Sequence, residues 1–259
     1  MKIIVCVKQV PDTAATMSVE NGEISWGDAS LIINPWDEYA IEAALDMQAE
    51  HGGDVIVLGL GKEEETEAIK HALAMGADEA VQLSDPAFSG LDGVAASKVI
   101  AAAIEKIGSA DLVLFGQQSV DSQSGLLPAQ VGRLLGWPIF PLVSTFSEID
   151  PGAGTFQAGL TIEEGKQILE GKLPAVVSVN KDYGEPRYPS FMGIRKASRA
   201  SYPTWGLDDL DMELPRSVVS WPEVKEPPQR EVVTEIIEGE TPEEKAQILV
   251  DKLIEEKVL

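Results

Sequence analysis

Between Gly116 and Gly132 the sequence reads GQQSVDSQSGLLPAQVG, and its first ten residues hold three glutamines, three serines, two glycines and a single charge, Asp121. Side chains of this kind bind rather than react. Amides and hydroxyls hydrogen-bond a planar base or sugar hydroxyls, and small residues let backbone N–H groups approach a phosphate. Gln117, Gln118, Ser119, Ser122, Gln123, Ser124 and Gly125 supply such contacts without a repelling carboxylate, while Asp121 suits the hydroxyls of a ribose. The same composition also suits a solvated loop in which Ser124 caps the next helix, and the residues alone leave both readings open.

Groups that could break bonds are scarce. The two histidines, His51 and His71, have no metal-ligand spacing to any Cys, Asp or Glu cluster, and they fall on helix patterns that leave them solvated. Cys6, the sole cysteine, lies inside an apolar run and reads as a small buried hydrophobe. Gly59-Leu60-Gly61 opens neither GxGxxG nor GxxxxGK[ST], which disfavours a dinucleotide fingerprint and triphosphate hydrolysis but allows a mononucleotide held by backbone and amides. A net charge of −23 disfavours nucleic acid and anionic membrane surfaces as partners. No apolar run has the length of a signal-peptide core or a membrane span, so the expectation is a soluble cytoplasmic protein.

These residues must be positioned by an α/β framework. Lys2 to Val7, Asp54 to Leu60, Glu79 to Leu83 and Asp111 to Gly116 are rich in Val, Ile and Leu on both faces, as strands covered by helices on both sides require. Helical spacing predicts Asn34 to Gln48, Glu63 to Met75, Asp92 to Ile107 and Leu126 to Leu135. Asn34-Pro35 supplies an N-cap and a first-turn proline, and the acids Asp37 and Glu38, like Glu63 to Glu65, complement a helix dipole. A parallel sheet flanked by helices on both faces follows, of the Rossmann-like, adenine-nucleotide α-hydrolase-like kind. Its ligands are expected at the carboxyl ends of the strands.

After Pro138 the pattern changes. Thr155 to Leu160 and Lys166 to Leu169 read as a hairpin, and Ala175 to Val179 as another buried strand. Beyond Tyr183 repeated prolines predict irregular chain, yet Tyr202, Trp205, Leu210, Met212, Leu214 and Trp221 are too apolar for a free linker. Thr241-Pro242-Glu243-Glu244 is a capping box opening a helix with Ala246, Leu249, Val250 and Leu253 on one face. The expected divisions are 1–183, a nucleotide-binding domain; 184–200, a proline-bearing loop; and 201–259, an arm that wraps a partner or folds back on its own sheet.

VCVKQVPDT at Val5 to Thr13, INPWDEYAIEAAL at Ile33 to Leu45, ALAMGADEA at Ala72 to Ala80, the Gly116 to Gly125 loop and EPRYPSFMGIRKASR at Glu185 to Arg199 together resemble the β subunit of electron transfer flavoprotein. The resemblance implies a partner α subunit that carries most of a redox-active FAD, a buried AMP in this chain, electron donors of the acyl-CoA dehydrogenase type, and a quinone oxidoreductase or other acceptor. It implies an AMP pocket at Cys6, at Asn34, Pro35, Trp36 and Asp37, at Leu60, and from Gly116 through Gln118, Ser119, Asp121, Ser122, Gln123, Ser124, Gly125 and Leu126 to Leu127. Thr13 and Trp36 match flavin-proximal positions, although Trp36 could equally be a staple on its helix. Phe191 matches the tip of the loop that enters a dehydrogenase, and Arg195, Lys196 and Arg199 surround it with positive charge.

The chain departs from the family where Asn-Gln-Thr or Ala-Gln-Val is replaced by Gly125-Leu126-Leu127, which shifts phosphate contacts onto backbone N–H groups and Ser124. Ala87 to Ser97 resembles the segment that helps hold a second FAD in place of AMP in electron-bifurcating, NADH-using members, with Gly93 and Ala96 at the usual threonines. A stand-alone nucleotide-binding module like the stress proteins is a further alternative. It leaves the arm without a role.

Overall fold

The computed structural model describes residues 1–20, 22–221, 223–226 and 234–258, which fall into two units, Met1–Val224 and Lys225–Leu259. In the first unit the chain runs through β1 (Lys2–Val7), β2 (Gln9–Pro11), β3 (Ser18–Glu20), β4 (Glu23–Ser25), β5 (Leu31–Ile33), α1 (Pro35–His51), β6 (Asp54–Leu60), α2 (Glu67–Met75) and β7 (Glu79–Leu83). It continues through α3 (Gly93–Ile107), β8 (Leu112–Gly116), α4 (Leu127–Leu135), β9 (Ile139–Asp150), β10 (Thr155–Ile162), β11 (Gly165–Lys172), β12 (Ala175–Val179), α5 (Phe191–Ala197) and β13 (Thr204–Trp205).

Among the described residues, nine strands form one sheet in the order β11-β10-β9-β12-β8-β1-β6-β7-β13. From β9 to β13 neighbours are parallel; β10 and β11 extend the sheet antiparallel. Alternation along β1 explains why both faces are apolar. Ile3, Val5 and Val7 pack with Ile41, Ala44, Ile69 and Ala72 of α1 and α2, whereas Ile4 and Cys6 pack with Val99, Ile100, Ile104 and Val131 of α3 and α4. The expected fold class, a mostly parallel sheet between helical layers, is what the chain adopts.

Several boundaries differ from the sequence reading. The second helix starts at Glu67 rather than Glu63: ahead of it Glu65 N–H closes a turn on the Lys62 carbonyl, and Gln82 Nε2 donates to the carbonyls of Lys62 and Glu63. Its first N–H groups, those of Glu67 and Ala68, donate to Gln9 Oε1 at 2.7 and 3.3 Å, so a glutamine caps the helix from outside. The twelve-residue β9 was not legible: Pro141 interrupts it, and Leu142 (φ 55°) and Glu148 (φ 48°) break its alternation. Pairing with β12 and β10 makes it a strand nonetheless. The chain beyond Tyr183 is not uniformly irregular, since Ser190 Oγ accepts from Gly193 N–H at 2.9 Å and opens α5, and β13 pairs with β7. Seven residues are too few for periodicity to reveal α5.

In the second unit α6 (Pro242–Glu255) begins at the expected capping box. Thr241 Oγ1 accepts from Glu244 N–H, while Glu244 Oε2 returns to the N–H of Glu240, one residue earlier than the usual box. Leu249, Val250 and Ile254 are exposed along it. Among the described residues no helix is long and apolar enough to cross a membrane.

Candidate functional site

The carboxyl ends of β8, β1 and β6 lie side by side, so the residues just beyond them share one edge of the sheet. β8 ends at Gly116, and the start of α1 comes so close there that a Cβ would lie 2.5 Å from the Trp36 carbonyl carbon and 2.5 Å from Asp37 Oδ1. Glycine is what allows that approach. Asp37, buried on the first turn of α1, accepts from Lys8 N–H at 2.8 Å, from Asn34 Nδ2 at 2.8 Å and from the Gly116 backbone. Burial pushes its carboxyl up to about 7 against the opposing pull of those donors and of the Lys8 charge.

Asn34 occupies the cap position but makes no side-chain cap bond, which corrects the sequence reading. Its amide reaches instead to the polar loop after β8. Nδ2 donates to the Gln118 carbonyl at 2.9 Å, and Oδ1 accepts from Val120 N–H at 3.1 Å. A buried amide offers a donor and an acceptor at once, which is what two successive loop backbone groups need. Asn34 therefore ties the loop to α1.

Within the loop the Ser119 and Ser122 hydroxyls are 2.8 Å apart, and Lys8 Nζ meets Asp121 Oδ2 at 2.5 Å. Burial tends to raise Asp121, but the Lys8 and Ser119 bonds outweigh it and hold the carboxyl below its ordinary range. Asp121 Oδ1 is buried without a hydrogen-bond partner. Gln123 (φ 51°) and Gly125 (φ 61°) turn the chain into α4, whose cap residue Leu126 offers no side-chain bond. Ser124 does not cap that helix, and Ser122, Gln123, Ser124, Gly125 and Leu126 are exposed.

The remaining sequence candidates divide. Pro35, Leu60 and Leu127 are half-buried around this edge. The Cys6 side chain points into the core with Ile4, Leu58 and Phe115, and burial, followed by the Asp37 charge, pushes its thiol well above the ordinary value, so it offers no thiol chemistry. Trp36 is half-buried with its ring 6.3 Å from that of Tyr39, the packing expected of a staple, and Thr13 is exposed beyond β2. Lys8 is a site residue that the sequence reading does not single out; the available signal is its place one residue past the carboxyl end of β1.

A second surface lies on α5. Gly193 packs so tightly on α2 that a Cβ would fall 2.2 Å from the Ala74 carbonyl oxygen. Ahead of it Arg187 grips α1: Nε and Nη2 donate to Glu42 at 2.8–3.0 Å, Nη2 donates to Asp46 at 2.7 Å, and the backbone N–H donates to Glu42 at 2.9 Å. Held this way, the segment presents Tyr188 (87% exposed), Phe191 (80%), Met192 and Ile194 to solvent, beside the exposed Arg195, Lys196 and Arg199. Apart from Arg187's grip, this is an apolar patch in a basic rim.

Residues 27–210 match the electron transfer flavoprotein domain model. The chain belongs to the electron transfer flavoprotein β-subunit family. It is 36% identical over 214 residues to the caffeyl-CoA reductase–Etf complex subunit CarD of Acetobacterium woodii, covering 82% of this chain and 80% of the relative. It is 35% identical to the electron transfer flavoprotein subunit beta of Clostridium acetobutylicum (82% and 81% covered), and 33% identical to protein FixA of Azorhizobium caulinodans (82% and 78%). The family is one of electron carriers, and the matched region takes in the start of α1, the loop after β8 and the α5 patch, with Lys8 at the end of β1 lying ahead of it.

Proposed function

We propose that this chain is the β subunit of a heterodimeric electron transfer flavoprotein, holding AMP at the carboxyl ends of β1, β6 and β8 and sharing an FAD with an α subunit. The observation that carries the AMP site is Asp121 Oδ1, a buried acceptor without a partner in a loop otherwise built of neutral amides and hydroxyls. A ribose hydroxyl satisfies it, and the first-turn N–H groups of α4, which have no side-chain cap, suit a phosphate. FAD, when bound, supplies the electron-carrying chemistry; this chain contributes Trp36 and Thr13 to its surroundings and catalyses no turnover of its own. Electrons arrive from an acyl-CoA or related dehydrogenase and leave to a quinone oxidoreductase or other acceptor. Residues 201–259 act as the arm toward the α subunit.

A second reading, a bifurcating subunit with a second FAD in place of AMP, draws support from the resemblance of Ala87 to Ser97 to the segment that holds that FAD, with Gly93 and Ala96 at the usual threonines and Asp92 capping α3. Nucleotides released on denaturing the purified α–β pair decide between them. One FAD with one AMP is expected; two FAD would replace the first reading by the second, and an adenylate without flavin would point to the stand-alone module.

The α5 patch is the docking surface in this scheme, with Phe191 as anchor and the basic rim steering an acidic dehydrogenase. Phe191→Ala should leave melting temperature and flavin content unchanged and slow electron delivery by about tenfold or more, the cost of one interface anchor. Unaltered transfer kinetics would remove Phe191 from the interface.

A further inference from the structure

We propose that Asp37 is the positioning residue of the loop after β8: its carboxylate fixes the orientation of the Asn34 amide, and protonation of Asp37 releases the loop. That the loop's ligand is an adenylate rests on the function proposed above; the latch itself does not.

The Asn34 amide makes three bonds that agree in one orientation alone. Its two Nδ2 hydrogens go to Asp37 Oδ1 and the Gln118 carbonyl, and its Oδ1 receives Val120 N–H. Flipped, the amide would set oxygen against the Asp37 carboxylate and the Gln118 carbonyl, and NH2 against an N–H. An ionised Asp37 forbids the flip. Once it takes a proton, the groups bonded to it, Lys8 N–H, the Gly116 backbone and Asn34 Nδ2, are all donors, so the new O–H confronts another hydrogen. The one partner free to turn is the Asn34 amide, and turning its oxygen toward the new O–H breaks the bonds that hold Gln118 and Val120.

The charged and titratable groups around Asp37 do not relieve this conflict. The Lys8 ammonium, from the exit of β1, is engaged by Asp121 of the loop; the Cys6 thiol of β1 is buried and neutral; Glu38, next on α1, faces His71 of α2 at 2.8 Å. Burial brings the titration of Asp37 to about 7, so the latch is closed above neutrality and opens below it.

Amide hydrogen exchange on the purified full chain between about pH 5.5 and 8.5, corrected for intrinsic exchange, tests this. Protection of residues 117–123 should fall about tenfold as pH drops through 7, with Val113 and Leu114 in β8 unaffected. In Asp37→Asn, which presents NH2 where a carboxylate oxygen stood, the loop should be poorly protected and indifferent to pH. A flat wild-type profile, or a variant that keeps the wild-type pH dependence, overturns the proposal. Should the variant not fold, the wild-type profile decides alone. Dialysis of the complex at about pH 6 and pH 8 adds the ligand arm: faster AMP loss at the lower pH is expected. A pH-dependent loop in a protein that never releases an adenylate supports the latch while overturning the ligand reading.

Discussion

Gly116→Ala is expected to lower the melting temperature of the chain by about 6–12 °C, corresponding to a loss on the order of 3 kcal/mol. The added methyl would sit 2.5 Å from the Trp36 carbonyl carbon, 2.6 Å from its oxygen and 2.5 Å from Asp37 Oδ1. None of these is the far end of a flexible side chain. Two are backbone atoms of the first turn of α1, whose Ile41, Ala44 and Leu45 are locked in the core, and the third belongs to a carboxyl held by Lys8 and Asn34. Relief requires lifting the helix start off the sheet, which strands buried donors at about 1–3 kcal/mol each. Gly125→Ala is the control: its Cβ would lie 3.4 Å from the Gln117 carbonyl oxygen, so the cost is confined to its φ of 61°, about 1–2 kcal/mol. Thermal denaturation followed by circular dichroism measures both. A Gly116→Ala protein melting within a degree of wild type would mean that the strand end and helix start are not in contact.

Arg187→Ala should release the α5 segment while the sheet stays folded. Arg187 joins residues 145 and 141 positions apart, and the Glu42 side chain beneath it is only 12% exposed. Removing the guanidinium leaves that carboxylate with one remaining donor, the backbone N–H of residue 187. Because Arg187 itself is partly solvated, solvent screening brings the expected loss to about 2 kcal/mol, less than a fully buried pair would show. Local opening of the segment becomes about thirtyfold more frequent. Chymotrypsin, cutting after Phe191, reads that opening directly. Cleavage no faster than in wild type would show that Gly193 and Ser190 hold α5 without help from Arg187. If docking runs through this patch, electron delivery should fall in the same variant.

The strands and long helices were legible because their cause is local. Val, Ile and Leu on both faces of Lys2–Val7 and the helical stripe of Pro35–His51 report burial within a few residues of themselves, and each was located to within three residues or fewer at its ends. The edge on which the polar loop stands was legible too, since ligand sites in parallel sheets follow from strand direction. β9 was hidden by a proline and two left-handed residues, and α5 by brevity.

What the amino-acid sequence determined by itself is the layered α/β framework, the neutral polar loop after β8 and the family, all of which are carried by contiguous residues. Partnership was decided by the tertiary structure alone. Asn34 looked like a helix cap and became a brace 84 positions along the chain from Gln118; Lys8 meets Asp121 across 113, and Arg187 meets Glu42 across 145. Cys6, placed at a strand end by its number, turned its thiol into the core because alternation along β1 put it on the α3–α4 side. Hydrogen-bond and charge partners are chosen by which strand ends the sheet order sets side by side, and no stretch of neighbouring residues carries that information.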